Sequence, residues 1–222
     1  MVPWVEIDRA KVPEGGELRL IRRGAEFSIM AGPIVLMNNR ISGSEEQLAV
    51  LALERLAGRA KPRLLIGGLG MGFTLRAALA ARSDVEIVVA ELLPAIVAWA
   101  RGPLAELFAG SLDDPRVQIE TGDVGVLIRA SRGGYDAILL DVDNGPEGLT
   151  RDGNGGLYAA AGLRAAYVAL RPGGLLAVWS AHPSPAFTKL LGQCGFAVEE
   201  LKLRARGKSG GSRHVIWMAT KR

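Results

Sequence analysis

From Arg63 onward the chain alternates short, nearly unbroken apolar runs with stretches of helical periodicity. The apolar runs Leu64–Ile66, Glu86–Ala90, Val117–Glu120, Ala137–Leu140 and Leu175–Trp179 predict five strands. Between them Gly72–Ala81, Pro94–Ala100, Gly125–Ser131 and Ala159–Leu170 predict helices. Pro94 suits a first helical turn, where its missing N–H would have no partner anyway. Arg171-Pro172-Gly173-Gly174 stops the last of these helices before the fifth strand. Strands that are apolar throughout belong to a parallel sheet covered by helices on both faces. The C-terminal part breaks the alternation. Phe196–Leu203 and His214–Thr220 are strand-like, and the glycine-rich connection between them is too short for a parallel crossover, so they form an antiparallel pair. The expected fold is α/β: a Rossmann-like seven-stranded sheet of five parallel strands and a C-terminal antiparallel hairpin.

A different pattern precedes it. Leu18–Ile21, Phe27–Met30 and Ile34–Met37 read as short strands separated by Arg23-Gly24 and Ala31-Gly32-Pro33, which predicts a small N-terminal β-meander. Ser44-Glu45-Glu46-Gln47 reads as a capping box opening a helix through Leu56, which Gly58 and Pro62 end. The division expected is a β-rich segment over residues 1–43 and a Rossmann-like domain over 44–222.

The 222 residues suffice for one α/β domain with a small appendage, and 49% hydrophobic with 23% charged residues is ordinary for a soluble globular protein. The longest apolar runs are far too short to cross a bilayer. Met1–Glu6 lacks the basic and apolar stretches of a signal peptide. A lone Cys194 excludes an intrachain disulfide and suits a reducing compartment. A cytoplasmic protein without a membrane partner is expected. The net charge of +4 is gathered in Arg19–Arg23, Lys202–Arg213 and Lys221-Arg222, without the aromatic interleaving that stacks bases. Those clusters read as the solvated face of a hairpin, and nucleic acid is not the expected partner. His182 and His214 are the only histidines, neither at zinc-site spacing from another ligand, so no metal is expected.

The candidate chemistry lies where consecutive parallel strands would end. Gly67, Gly68, Gly70 and Gly72 form a turn with the spacing G-x-G-x-G over the last three, not the G-x-G-x-x-G of dinucleotide sites. Such a turn lets backbone approach a ligand closely and offers N–H groups at a helix N-terminus. Glu91 ends the second strand about twenty residues on, where a carboxylate accepts ribose hydroxyls. Gly122-Asp123 follows the third, with Asp123 placed to accept from an adenine amino group. Asp141 ends the fourth, beside the expected reacting centre, and is the candidate for positioning or deprotonating a nucleophile. Beyond it, Asp143–Leu157 is a loop with five glycines, long enough for a lid or substrate loop. Five parallel strands closed by an antiparallel hairpin, with these stations in register, fit an S-adenosylmethionine-dependent transferase.

These residues resemble the polyamine aminopropyltransferases, the spermidine synthase family. The resemblance runs through the N-terminal meander, the helix after Ser44, the glycine turn, Glu91, Gly122-Asp123, the Asp141 segment, Leu157-Tyr158 and the closing strand pair. It implies transfer of an aminopropyl group from decarboxylated S-adenosylmethionine to a diamine, with Glu91 on the ribose, Asp123 on the adenine and Asp141 as catalytic aspartate. It also implies a small amine acceptor, with Tyr158 in the matching segment, and a homodimer; Asp143 is expected to help Asp141, Asn144 to adjoin the acceptor, and His182 to serve as base or acceptor contact if the chemistry is methyl transfer. The sequence departs from the family at Gly70, where an aspartate is usual, at Asn144, where the second aspartate of the Asp-x-x-Asp-Pro motif is usual, and after Trp179, where an acidic residue is usual. Ordinary S-adenosylmethionine with methyl transfer to a less cationic acceptor therefore stands as the alternative. A non-catalytic nucleoside- or RNA-binding protein using its basic hairpin is the alternative of another class.

Overall fold

The computed structural model describes residues 2–12, 16–40, 42–142, 145–146, 155–204 and 213–222. Four antiparallel strands form an N-terminal sheet in chain order: β1 (Val5–Lys11), β2 (Glu17–Arg23), β3 (Glu26–Ala31) and β4 (Ile34–Asn38). The last three are the expected meander. β1 is an addition, and its signal is the apolar-polar alternation Val5-Glu6-Ile7-Asp8. It is exposed along almost its whole length, so it has no dense apolar run to mark it. A hydrogen bond from Trp99 Nε1 to Asp8 Oδ2 at 2.6 Å ties it to the main domain.

Helix α1 (Gly43–Arg55) follows, and here the capping box expected at Ser44 is corrected. Ser42 is the N-cap: its carbonyl accepts from the Glu46 N–H at 2.9 Å and its hydroxyl donates to Glu46 Oε1 at 2.7 Å. Ser44 lies inside the first turn, buried, and its hydroxyl is engaged elsewhere.

The main sheet has the order β10-β11-β9-β8-β5-β6-β7. Its parallel strands are β5 (Arg63–Gly67), β6 (Glu86–Glu91), β7 (Val117–Thr121), β8 (Tyr135–Leu140) and β9 (Leu170–Ser180). Helices α2 (Phe73–Ala81), α3 (Pro94–Arg101), α4 (Ala105–Phe108), α5 (Val124–Ala130), α6 (Gly155–Tyr158) and α7 (Ala160–Ala169) connect them. β10 (Phe196–Arg204) and β11 (Arg213–Lys221) form the expected hairpin. β11 inserts between β9 and β10 and runs antiparallel to both, so β10 points the same way as the parallel strands.

Two details differ from the sequence reading. Helix α8 (Pro185–Gln193) joins β9 to β10; its signal is Ser184-Pro185, an N-cap whose Oγ accepts from the Phe187 N–H at 3.4 Å, followed by proline in the first turn. The fifth strand also begins at Leu170 rather than after Gly174. Its pairing jumps from Tyr135↔Leu170 to Ala137↔Leu175, so Arg171–Gly174 bulges out of a strand that continues on either side.

One apolar core packs α1, α2, α3 and the N-terminal sheet on one face of the main sheet, with Leu20, Ile29, Leu48, Ile66 and Trp99 among its members. The second packs α5, α7 and α8 on the other face around Ile138, Leu163 and Trp217. Among the described residues no helix is long and apolar enough to cross a membrane. The strand order reverses between β5 and β8, which opens a crevice at their carboxyl ends.

The opposite end of β8 is held by a buried carboxylate. Asp136 is 2% exposed and accepts from Arg59 Nη1 and Arg171 Nη1, each at 2.7 Å, and from the Arg63 N–H at 2.8 Å. Removing one partner of a buried pair leaves the others desolvated without compensation, although both arginines here retain contact with water. Asp136→Ala is expected to lower the urea-denaturation free energy by about 2–3 kcal/mol. Asp113→Ala, which breaks an exposed pair with Arg101, leaves the midpoint nearly unchanged. Equal small effects of the two substitutions would refute the anchoring role.

Candidate active site

The turn after β5 is shaped by what lies against it. Gly68 has φ of +91°, and a Cβ there would collide with the Asp141 carbonyl oxygen. The Asp141 N–H in turn donates to the Gly67 carbonyl at 3.0 Å. Only a residue without a side chain lets this turn lie so close to the end of β8. Glu91, at the end of β6, is 7% exposed. Its carboxylate accepts from the Leu69 N–H at 2.9 Å and the Leu93 N–H at 2.8 Å, joining the glycine turn to the start of α3. Burial pushes the Glu91 carboxyl up, and these backbone N–H groups pull it back. Asp123 is the N-cap of α5 and accepts from the Gly125 N–H at 2.7 Å through Oδ1.

Gly68, Gly70, Glu91, Gly122, Asp123 and Asp141 all line one cavity of about 360 Å³. That volume lies within the ~300–1,000 Å³ range of small-molecule sites. Leu92, Leu93, Ile96 and Val124 supply apolar surface beside Glu91 and Asp123, while Leu18, Ile29, Leu36 and Met37 of the N-terminal sheet close it from above. At Gly70 the backbone has φ of +51° and a Cβ would lie 3.2 Å from Met37 Sδ. Met37 therefore fills the space beside the position where the resemblance leads one to expect an aspartate.

The other expected residues lie elsewhere. Gly67 does not line the cavity; Val124 and Leu140 crowd the place of its missing side chain, as Phe108 does at Gly72. Tyr158 is buried on the other face of the sheet, its hydroxyl donating to the Val142 carbonyl at 3.3 Å and its ring edge-on to Phe187. His182 is exposed; its N–H donates to Ser180 Oγ at 3.2 Å and its carbonyl accepts from that hydroxyl at 2.8 Å. Asp143 and Asn144 lie outside the described residues. Among the described residues no group of three or more His, Cys, Asp and Glu could hold a metal ion.

Asp141 sits at the junction of β8, α2 and α1. Thr74 Oγ1 donates to its Oδ2 at 2.7 Å and lies 3.2 Å from the Glu45 carbonyl oxygen, which places the first turn of α1 against the site. Burial first, and then the Glu45 carboxylate, push the Asp141 carboxyl up to about 7, against the Thr74 hydrogen bond. Glu45 itself is pushed up, mainly by burial. Sequence reasoning missed Glu45 because its place in the capping motif accounted for it. The signal was present: Glu45 precedes Leu48 and Ala49 by three and four residues, so it shares their buried stripe.

A carboxyl raised in this way stays protonated in the folded protein between about pH 4 and 7, where the unfolded chain has lost the proton. Its contribution to stability is complete below the unfolded value and is lost as pH rises through about 7. Asp141→Asn is therefore expected to be more stable than the parent chain at pH 8, by up to about 4 kcal/mol, with the advantage shrinking toward pH 4. Melting temperatures across that range test it. Parallel profiles for the two proteins would contradict the raised carboxyl.

No family model matches the chain. The polyamine aminopropyltransferase of Mycobacterium tuberculosis is 34% identical over 127 residues, covering 56% of this chain and 23% of that protein. That of Nitrosomonas europaea is 31% identical over 137 residues, covering 60% and 40%. The matched region thus spans well under half of these relatives' length. The crystal structure of spermidine synthase from Thermotoga maritima superposes with a TM-score of 0.76 at 18% identity, over 98% of this chain and 73% of that one. The chain thus shares local sequence similarity with polyamine aminopropyltransferases and its fold with spermidine synthase.

Proposed function

We propose that this chain is an aminopropyltransferase that uses decarboxylated S-adenosylmethionine and a small amine. The observation that carries the reading is the convergence of the glycine turn, Glu91, Gly122-Asp123 and Asp141 on one cavity. Further support comes from the relatives named polyamine aminopropyltransferase and from a spermidine synthase of the same fold, TM-score 0.75, crystallised with the transition-state analogue AdoDATO.

Each residue has a role set by its chemistry. Glu91 keeps acceptor lone pairs for the ribose hydroxyls while its backbone partners hold it in place. Asp123 caps α5 through Oδ1, while Oδ2, with Arg129 Nη2 at 3.7 Å, keeps lone pairs for an adenine amino group, and Leu92, Ile96 and Val124 flank the base. When bound, the sulfonium nucleoside supplies a methylene carbon whose bond to sulfur breaks as the amine nitrogen bonds to it, the electron pair leaving with sulfur as a neutral thioether. Asp141 orients the attacking ammonium and takes the proton it gives up. A carboxyl near 7 is matched to that task at neutral pH, whereas an ordinary carboxylate near 4 is a poor proton acceptor. The apolar wall from the N-terminal sheet excludes water, which strengthens each of these charge interactions.

Incubation with decarboxylated S-adenosylmethionine and a panel of diamines is expected to release methylthioadenosine. Absence of release with every diamine, alongside methyl transfer from ordinary S-adenosylmethionine, would replace this reading with the methyltransferase one. Glu91→Ala is expected to weaken nucleoside binding by about 1.5–3 kcal/mol, roughly 10- to 100-fold, in calorimetry. Asp141→Asn should instead lower kcat by about 10²–10³-fold with nucleoside affinity nearly unchanged. An unaltered rate in that variant would show that Asp141 is not the base.

A further inference from the structure

The base assigned to Asp141 has a neighbour whose part in the site is unexplained by the convergence on the cavity. Glu45 does not line the cavity, yet it is held firmly beside it. Ser44 Oγ lies 2.6 Å from Glu45 Oε2 and 2.8 Å from His214 Nδ1, so the carboxylate is fixed between the first turn of α1 and the start of β11. The His214 ring packs edge-on to Trp179 of β9 with centroids 4.8 Å apart, which fixes that end of the chain of contacts. At the other end Thr74 of α2 reaches the Glu45 carbonyl and donates to Asp141. Ser44 is fully buried and Thr74 nearly so, and a polar network this far inside the protein orders its members.

We infer that Glu45 is a positioning residue for Asp141: its carboxylate is held by Ser44, which His214 holds in turn, its backbone carbonyl and the Asp141 carboxylate share Thr74 Oγ1, and the two carboxyl groups retain one proton between them. This rests on the transferase reading for its use but not for its measurement. Two carboxylates brought together in a desolvated place cannot both ionise readily, so each raises the proton affinity of the other. The charged and titratable groups around them are few. Glu46, on the next residue of α1, adds repulsion to Glu45. His214 on β11 is held toward its neutral form by burial and by His182 after β9, so it bonds Ser44 and offers Glu45 no compensating cation. Thr74 on α2 is neutral. Asp141 is thereby kept basic enough to accept a proton from an ammonium group near neutral pH, and the pair places negative charge at the acceptor end of the cavity.

The test reads Asp141 directly, without substrate. Protein labelled with ¹³C at aspartate carboxyls is titrated by NMR, the Asp141 resonance being the one that Asp141→Asn removes. Glu45→Gln is expected to move the Asp141 midpoint to lower pH by about one pH unit. Glu45→Ala, which removes the same charge without the bulk, should do the same and serves if the glutamine variant misfolds. Glu45→Asp should retain part of the elevation, and Glu46→Gln should leave Asp141 nearly where it was. A midpoint unmoved by both Glu45→Gln and Glu45→Ala would overturn the inference and leave the transferase reading intact. Failure of every diamine assay with a shifted midpoint would do the reverse. In an active preparation the rising limb of the pH–rate profile should move by the same amount; a merely structural Glu45 would lower kcat at all pH values without moving it.

Discussion

The approach of the β5 turn to the end of β8 is the constraint on which the site depends. With Gly68 against the Asp141 carbonyl, and the Asp141 N–H on the Gly67 carbonyl, the two strands meet where the order of the sheet reverses. That contact brings a carboxylate at the end of one strand to a glycine turn at the end of another. Glu91 then ties the same turn to β6 through the Leu69 and Leu93 N–H groups. Three strand ends become one rigid edge, so a ligand seated there meets groups whose positions are set by backbone hydrogen bonds rather than by mobile side chains.

The N-terminal sheet turns that edge into an enclosed cavity. Its Leu20 and Ile29 are fully buried in the core shared with α1, α2 and α3, its Leu36 and Met37 line the cavity, and Met37 lies against Gly70. An apolar cover lowers the local dielectric, which raises the worth of every charge contact beneath it and the cost of every unpaired charge. The elevated carboxyls of Asp141 and Glu91 are the signature of that enclosure, since burial is the leading cause in each. The fold stores destabilisation at the site and offsets it elsewhere, for instance at Asp136, where two arginines and a backbone N–H satisfy a buried carboxylate at the far end of the same strand.

Much of this was legible in the chain because it depends on period and punctuation. The five apolar runs are strands in the structure, and the glycine turn, Glu91, Gly122-Asp123 and Asp141 fall at their ends because a parallel sheet aligns those ends by construction. What escaped notice has local physical reasons. β1 is exposed on nearly every residue, so burial left no apolar mark on it. α8 announces itself mainly through Ser184-Pro185 and a short apolar stripe. The true cap of α1 is Ser42, two residues earlier than Ser44, because Ser44 is drawn inward to His214, a partner 170 residues away that no local pattern reveals. Tyr158 and His182 follow the same lesson: their neighbours in sequence lie near the site, but the former turns into the opposite core and the latter faces solvent.

The placement of charge around the cavity gives the departures from the family pattern a physical meaning. At the turn, Gly70 offers no carboxylate and Met37 occupies the adjoining space, so a cationic tail beside Gly70 meets a thioether in place of a carboxylate. Glu17 lines the cavity too, but Arg9 Nη1 lies 3.0 Å from its carboxylate and takes up much of its field. At the β8 end, by contrast, Asp141 has Glu45 beside it and no described arginine or lysine bonded to either. A cation is stabilised in a dry cavity only where opposite charge is uncompensated. The described residues supply that condition next to Asp141 and not at Gly70, so on the proposed reading the ammonium group of an acceptor would sit at the Asp141 end of the cavity.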